Sequence, residues 1–200
     1  MTFWDFCAPF YDIAEKANGR AYDEMLKMVR ELVPSGASVL EIAAGTGTIS
    51  LTAADKANAV LCTDVSERML AVAKKKAAKR GVSNVRFGNV NIFGTGLPND
   101  GFDVVIASQV LHLIDEPQKA AAELRRVAKT LVILPMSFTK NLRGAAKLSI
   151  ALYKVFGFSP KRDFSKEDYA AFLPEIGFDG CEVRQIDGKI PMAVAVWKKV

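Results

Sequence analysis

The sequence predicts an α/β fold with a doubly wound, mostly parallel sheet closed by an antiparallel hairpin, and three observations carry that prediction. Short apolar runs alternate with amphipathic helical patterns between Val39 and Pro135, the order that builds a parallel sheet covered by helices. The first run, Val39-Leu-Glu-Ile-Ala-Ala, breaks into Gly45-Thr46-Gly47 and resumes as an Ala-rich helical pattern, so it reads as strand, tight turn and helix. Near the end, Gly180 to Ile186 and Pro191 to Lys198 flank Asp187-Gly188 and read as a β-hairpin.

Composition narrows the function classes. A chain of 200 residues fits one domain with a sizeable core. The charge of +5, from 27 basic and 22 acidic residues, is a mild excess that favours solubility or an anionic partner without a base-stacking motif, so no nucleic acid is expected. Cys7, Cys62 and Cys181 are scattered and odd in number, and His112 is the one histidine, which argues against a disulfide framework and a metal cage. No targeting segment or membrane span is visible, and a cytoplasmic location is expected.

Taken in order, Phe3, Trp4, Phe6, Phe10 and Tyr11 precede an amphipathic helix through Tyr22, Met25, Leu26 and Val29 that Pro34-Ser-Gly36 closes. These rings either pack on the sheet or form a lid over a ligand. In the first strand Glu41 is out of place, because a central parallel strand is normally a continuous apolar run. A carboxylate there needs donors. Gly45 and Gly47 let a ligand approach the main chain, although Ser50 stands where the third glycine of a dinucleotide fingerprint belongs, and a plain strand-to-helix turn is the alternative.

A short helix from Ser50 to Lys56 leads to a second strand, Ala59 to Asp64. Asp64 sits close to the spacing at which a carboxylate accepts hydrogen bonds from ribose hydroxyls; its alternative is a helix cap, for which Ser66 is the better candidate. Ser66 to Lys79 is an amphipathic helix ended by Gly81, whose lysine cluster reads as a solvated terminus. Asn84 to Asn91 is the third strand and Phe102 to Ala107 the fourth. Glu116-Pro117 starts a helix to about Ala128, and Leu131 to Pro135 is the fifth strand. Gly45, Asp64, Asn89 and Ser108 therefore fall at the carboxyl edge of the sheet, where open α/β sheets bind ligands. Residues 137–164 form a long, basic and apolar insertion that is either a lid or a helix packed on the core, and Ser165 to Gly177 reads as a capped helix.

With these motifs placed, the chain resembles the class I S-adenosylmethionine-dependent methyltransferases, in particular the small-molecule group that includes quinone-biosynthesis C-methyltransferases. Val39-Leu-Glu41-Ile-Ala-Ala-Gly45-Thr-Gly47-Thr is similar to the family's first motif, Asp64-Val-Ser-Glu-Arg-Met69-Leu to its second, and Phe102-Asp-Val-Val-Ile-Ala-Ser108-Gln-Val-Leu-His112 to its fourth. The resemblance implies a Rossmann-like, seven-stranded sheet with an antiparallel last strand and a helical cap. It implies S-adenosylmethionine as cofactor, with Gly45, Thr46 and Gly47 against the methionine moiety and Glu41 organising donors around it. Asp64 would bind the ribose, Met69 would border the adenine, Asn89 and Val90 would meet its edge, and Ser108 would line the floor near the sulfonium. Tyr11, in the Phe10-Tyr11-Asp12 pattern, would close over the cofactor, and Tyr11 and His112 are the candidates for proton removal.

Two departures qualify the match: Ala43 replaces the usual first glycine, and the Pro-Gly-Gly turn before the fifth strand is absent. The expected division is one domain over 1–200: N-terminal lid helices over 1–36, a cofactor-binding core over 37–136, a cap insertion over 137–164, and a final helix and hairpin over 165–200. The expected reaction is methyl transfer to a small hydrophobic acceptor. A phospholipid or other membrane-surface acceptor and a non-catalytic S-adenosylmethionine-binding protein are the alternatives, and oligomeric state is left open.

Overall fold

The computed structural model describes residues 3–16, 18–140, 142, 144 and 158–199. Strands β1 (Ser38–Ile42), β2 (Ala59–Thr63), β3 (Val85–Gly88), β4 (Phe102–Ala107), β5 (Ala128–Ser137), β6 (Glu182–Ile186) and β7 (Met192–Lys198) form one sheet in the order β3-β2-β1-β4-β5-β7-β6. The β3-β2-β1-β4-β5 pairs are parallel, and β7 runs antiparallel between β5 and β6. The expected sheet, seven-stranded with an antiparallel last strand, is thus the one observed.

Alternation along the central strands builds a core on each face. Leu40, Ile42, Val105, Ala107, Val132 and Leu134 pack with Ala120 and Leu124 of helix α6 (Pro117–Val127) and with Tyr169 and Leu173 of α7 (Lys166–Glu175). Val39, Val104, Ile106 and Ile133 point the other way, onto Met25 and Val29 of α3 (Arg20–Leu32) and Ile49 and Ala53 of α4 (Thr48–Ala53). Tyr169, fully buried, satisfies its hydroxyl by donating to the Leu134 carbonyl at 2.9 Å.

Local chemistry sets the element ends. Ser66 caps α5 (Glu67–Arg80) by accepting from the Met69 N–H, and Gly81 ends it in the left-handed conformation. Ser165 and Asp168 form a capping box on α7. Two strands differ from expectation. β3 stops at Gly88, three residues short of Asn91, whereas β5 starts at Ala128, which pairs with Phe102 of β4, and runs on to Ser137 because β7 pairs with it from Leu131 to Ser137. Pro135 is tolerated in this interior strand because it lies beyond Ile133, the last residue paired with β4. α6 enters β5 with no intervening turn, as the missing Pro-Gly-Gly requires.

Two short helices, α1 (Phe3–Cys7) and α2 (Tyr11–Lys16), precede α3 and reach the carboxyl edge of the sheet. Of the expected cap, Phe138 and Phe164 are buried in the core, while residues 145–157, with Lys147 and Lys154, and Arg143 lie outside the described residues.

The packing of α4 on α5 gives a direct test. Gly47, the N-cap of α4, has φ 72°, and a Cβ built there would come within 2.9 Å of the Ala73 Cβ and 3.3 Å of the Cys62 Sγ. Gly47→Ala is therefore expected to lose about 2 kcal/mol in denaturant unfolding from overpacking and backbone strain. Adding Ala73→Gly should recover the overpacking share, and strict additivity of the two losses would show that this contact is not the cause.

Candidate functional site

The site begins where β1 ends. Ala43 and Gly45 both take positive φ, 56° and 55°, so the turn keeps a left-handed residue at the position where the family usually has glycine. For alanine that conformation costs about 1–2 kcal/mol. A Cβ on Gly45 would face the Tyr11 ring, 3.7 Å from its Cε1.

Asp64 ties this turn to the next one. Its carboxylate accepts from the Gly45 N–H and from the Ser66 N–H, each at 2.8 Å. Burial raises its pKa, and the Ser66 and Gly45 N–H groups oppose that rise. Behind the turn, Glu41 is buried and accepts from the Ser50 hydroxyl on α4, which answers the need for a donor in the strand. Burial pushes the Glu41 carboxyl up to about 8, with the Ser50 hydrogen bonds pulling the other way.

The N-terminal helices are fastened across this edge by their acids. Asp5 of α1 accepts from the Ser66 hydroxyl at 2.7 Å. Asp12 of α2 accepts from the Thr46 hydroxyl and pairs with Lys76 of α5 at 2.8 Å, and Lys76 also donates to the Thr48 hydroxyl at 2.7 Å. Burial works to raise the Asp12 pKa, yet the hydrogen bonds from Lys76 and Thr46 hold it below the ordinary value. Lys76 corrects the reading of the lysine run as a solvated helix end, since its side chain is 19% exposed against 75% for Lys27 on the surface of α3.

Glu15, one turn beyond Asp12, accepts from the Tyr22 hydroxyl of α3 and is hydrogen-bonded to Tyr11. Its burial, with the Asp12 charge adding, lifts the carboxyl to about 7 against the pull of Tyr22 and Lys76. Burial and Glu15 together push the Tyr11 phenol well above its ordinary value.

Two spaces adjoin here. A small one of about 20 Å³ lies over the turn, between Tyr11, Glu15, Tyr22, Glu41, Gly45 and Ser108. A larger one of about 640 Å³ is walled by Phe3, Trp4, Phe6, Phe10, His112 and Phe158. The N-terminal rings therefore form its wall; Trp4 meets Tyr11 and Phe158 edge-on, at 6.3 Å each. His112 stacks edge-on with Phe158 at 6.2 Å, and burial lowers its pKa to about 4 despite the nearby Asp163. Its Nδ1 is buried with no hydrogen-bond partner among the described residues.

The expected site residues divide accordingly. Tyr11, Glu41, Gly45 and Ser108 border the small space and His112 the large one, while Thr46 and Gly47 hold the turn from behind. Met69 is buried beneath the start of α5, and the exposed Asn89 donates to the Val65 carbonyl at 3.0 Å; Val90 follows it, half-buried. Sequence reasoning did not single out Glu15, Lys76 or Gln109. Gln109 has φ 54°, donates its N–H to the Pro135 carbonyl at 3.0 Å, and exchanges two hydrogen bonds with Ser137. Strain of this kind in a non-glycine residue gathers at functional sites.

The Asp12–Lys76 pair makes α2 a clip on the glycine turn. In Lys76→Met, residues 3–16 are expected to exchange amide hydrogen about fivefold faster, matching the loss of about 1 kcal/mol, while β1, β4 and β5 stay protected. Unchanged exchange in 3–16 would mean that apolar contacts alone hold the helices down.

Comparison with known proteins agrees with this geometry. A family model described as a methyltransferase domain matches residues 34–154. The ubiquinone/menaquinone biosynthesis C-methyltransferase UbiE of a Marinomonas species is 33% identical over 182 residues, covering 79% of this chain and 72% of the relative. The demethylmenaquinone methyltransferase of Renibacterium salmoninarum is 32% identical over 179 residues, covering 88% of this chain and 67% of the relative. The first curated relatives it matches are longer, and the chain spans 36% and 38% of two of them. Among solved structures, a SAM-dependent methyltransferase from Aquifex aeolicus superimposes with a TM-score of 0.66 at 23% identity, covering 89% of each chain, which shows the shared fold. The match over residues 34–154, with a likeness above 30% identity over 79% of the chain, places this chain in the methyltransferase-domain family.

Proposed function

We propose that the chain binds S-adenosylmethionine over the Ala43–Gly47 turn and transfers its methyl group to a small apolar acceptor held in the aromatic cavity. The observation that carries this reading is the adjacency of the two spaces: one lies on the glycine turn beside Glu41 and Ser108, and the other is walled by the rings of Phe3, Trp4, Phe6, Phe10 and Phe158 together with Ile13, Ile190 and Met192. The residues suit the cofactor. Gly45 offers a bare main chain facing Tyr11, Asp64 follows the end of β2, and the Glu15 and Asp12 carboxylates beside the turn favour a sulfonium.

S-adenosylmethionine supplies an activated methyl group, and the chain's own contribution is alignment, which is worth about 7–11 kcal/mol when the reacting atoms are held in line. The aromatic wall excludes water and orients a flat acceptor. The relatives named for quinone biosynthesis support such an acceptor.

One further observation favours a lipid-borne version of it. Phe6, Phe10 and Ile13, at 53%, 65% and 69% exposure, rim the mouth of the cavity and form an apolar edge that a membrane surface would cover. Charging that rim, as in Phe10→Glu with Ile13→Glu, should reduce co-sedimentation with anionic liposomes if the acceptor is taken from a bilayer, and leave it unchanged if it is taken from water.

Calorimetry with S-adenosylhomocysteine tests the cofactor half. The wild-type protein is expected to bind, and Asp64→Ala to bind at least fivefold more weakly, the equivalent of about 1 kcal/mol for a charge-assisted hydrogen bond. Equal affinity in the variant would remove Asp64 from the ribose, and no binding by the wild type would overturn the cofactor assignment.

A further inference from the structure

The small and large spaces share four lining residues, Tyr11, Glu15, Tyr22 and Gln109. On the reading proposed above, the methyl group crosses this common wall, so whatever takes the acceptor's proton must stand in it. Gln109 is committed to Ser137 through both its amide atoms. Tyr11 and Tyr22 are phenols hydrogen-bonded to Glu15, and burial holds both well above their ordinary pKa. His112 lies outside the wall, in the large cavity alone.

We propose that Glu15 is the general base of the transfer, and that the acceptor is an apolar molecule whose reacting group is an acidic O–H: a phenol, a hydroquinone or an enol. This inference rests on the cofactor assignment and adds to it a catalytic residue and an acceptor class. A Glu15 carboxylate oxygen takes the hydroxyl proton while the acceptor's oxygen, or the carbon conjugated with it, forms the new bond to the methyl carbon. The S–CH3 bond breaks with its electron pair left on sulfur, which becomes a neutral thioether. If carbon attacks, the keto form moves its extra hydrogen from that carbon to the oxygen, and the net change is the same. One positive and one negative charge disappear together, a change that a water-excluding aromatic enclosure favours over one that separates charge.

The surroundings of Glu15 tune it for this role. Burial and the Asp12 carboxylate raise it, while the Tyr22 and Tyr11 hydroxyls and Lys76 of α5 lower it; Glu41, from β1, is raised in turn by the Glu15 charge. The outcome near 7 is the range in which a carboxyl is both ionised and basic enough to accept a proton. His112, near 4, is a weak base there; its buried Nδ1, without a partner among the described residues, instead offers a hydrogen bond to a polar atom at the acceptor's far end.

The test follows methyl transfer from S-adenosylmethionine to naphthohydroquinone and naphthol across pH, beside calorimetry with S-adenosylhomocysteine on the same samples. Wild-type turnover should rise with pH through about 7 and then level, because the base must be ionised. Glu15→Gln should lose turnover at saturating S-adenosylmethionine by about 100-fold or more, far beyond any change in its affinity for S-adenosylhomocysteine, with Glu15→Asp intermediate. Tyr22→Phe removes a donor to the carboxylate, so the acidic limb should move to higher pH. Infrared difference spectra of wild type against Glu15→Gln, titrated with S-adenosylhomocysteine bound, read the same carboxyl without an acceptor. Turnover of Glu15→Gln within a few-fold of wild type, a limb unmoved in Tyr22→Phe, or a carboxyl that titrates near its ordinary value would overturn Glu15 as base. Transfer to naphthylamine and to neither hydroxyl probe would overturn the acceptor class. Loss of S-adenosylhomocysteine binding by the wild type would instead fail the cofactor assignment.

Discussion

Carboxylates buried at the carboxyl edge of the sheet are the constraint around which this molecule is arranged. Glu41 and Asp64 come from the strands, Asp12 and Glu15 from the helix laid over them, and each loses hydration on folding. Every one is answered by donors from a different element: Ser50 for Glu41, two turn N–H groups for Asp64, Thr46 and Lys76 for Asp12, and Tyr22 for Glu15. These hydrogen bonds knit turns far apart in sequence into one polar layer. The cores on the two faces of the sheet supply the bulk of the burial, but it is this layer that fixes where α1 and α2 lie.

The position of those helices has a consequence for the rings they carry. Asp5 and Asp12 hold one side of the segment to the sheet edge, and Phe3, Trp4, Phe6, Phe10 and Tyr11 are left to line a cavity. A polar layer on one side of α2 and an aromatic space on the other is the division a group transfer needs, with the proposed charged donor on the hydrogen-bonded side and a greasy acceptor opposite. Gln109, held at positive φ by Pro135 and Ser137, joins the two from the sheet.

Most of the scaffold was legible in the sequence because local rules decide it. The apolar runs of β1, β2 and β4, the Ser66 cap, the Gly81 stop and the Ser165 capping box each depend on neighbours within a few residues. The ends of β3 and β5 depend on pairing: β5 is lengthened by a strand sixty residues away in sequence, which no local pattern reports. At the candidate site, the Asp64 carboxylate does accept from the Gly45 N–H, and the glycine turn and the acid that follows the second strand were legible from their spacing. Lys76 was not, since nothing separates it from Lys74 and Lys75 until the rotation of α5 aims it at Asp12. Glu15 was hidden for a similar reason: it is an ordinary acid in a short polar helix, and only the docking of α2 against α3 buries it beside Tyr22.

The same layer gives the proposed chemistry a direction. Burial raises the Glu15, Asp64 and Glu41 carboxyls, and the charges of Glu15 and Asp64 add to the rise at Glu41, so a cation placed over the turn relieves that repulsion. A sulfonium is therefore drawn toward the ionised cluster, and its arrival favours the ionised form of Glu15, the form that accepts a proton. After transfer the sulfur is neutral and Glu15 is protonated, so the attraction that held the cofactor is gone at both ends. On the proposed reading, the layer therefore holds the charged donor more firmly than the neutral product.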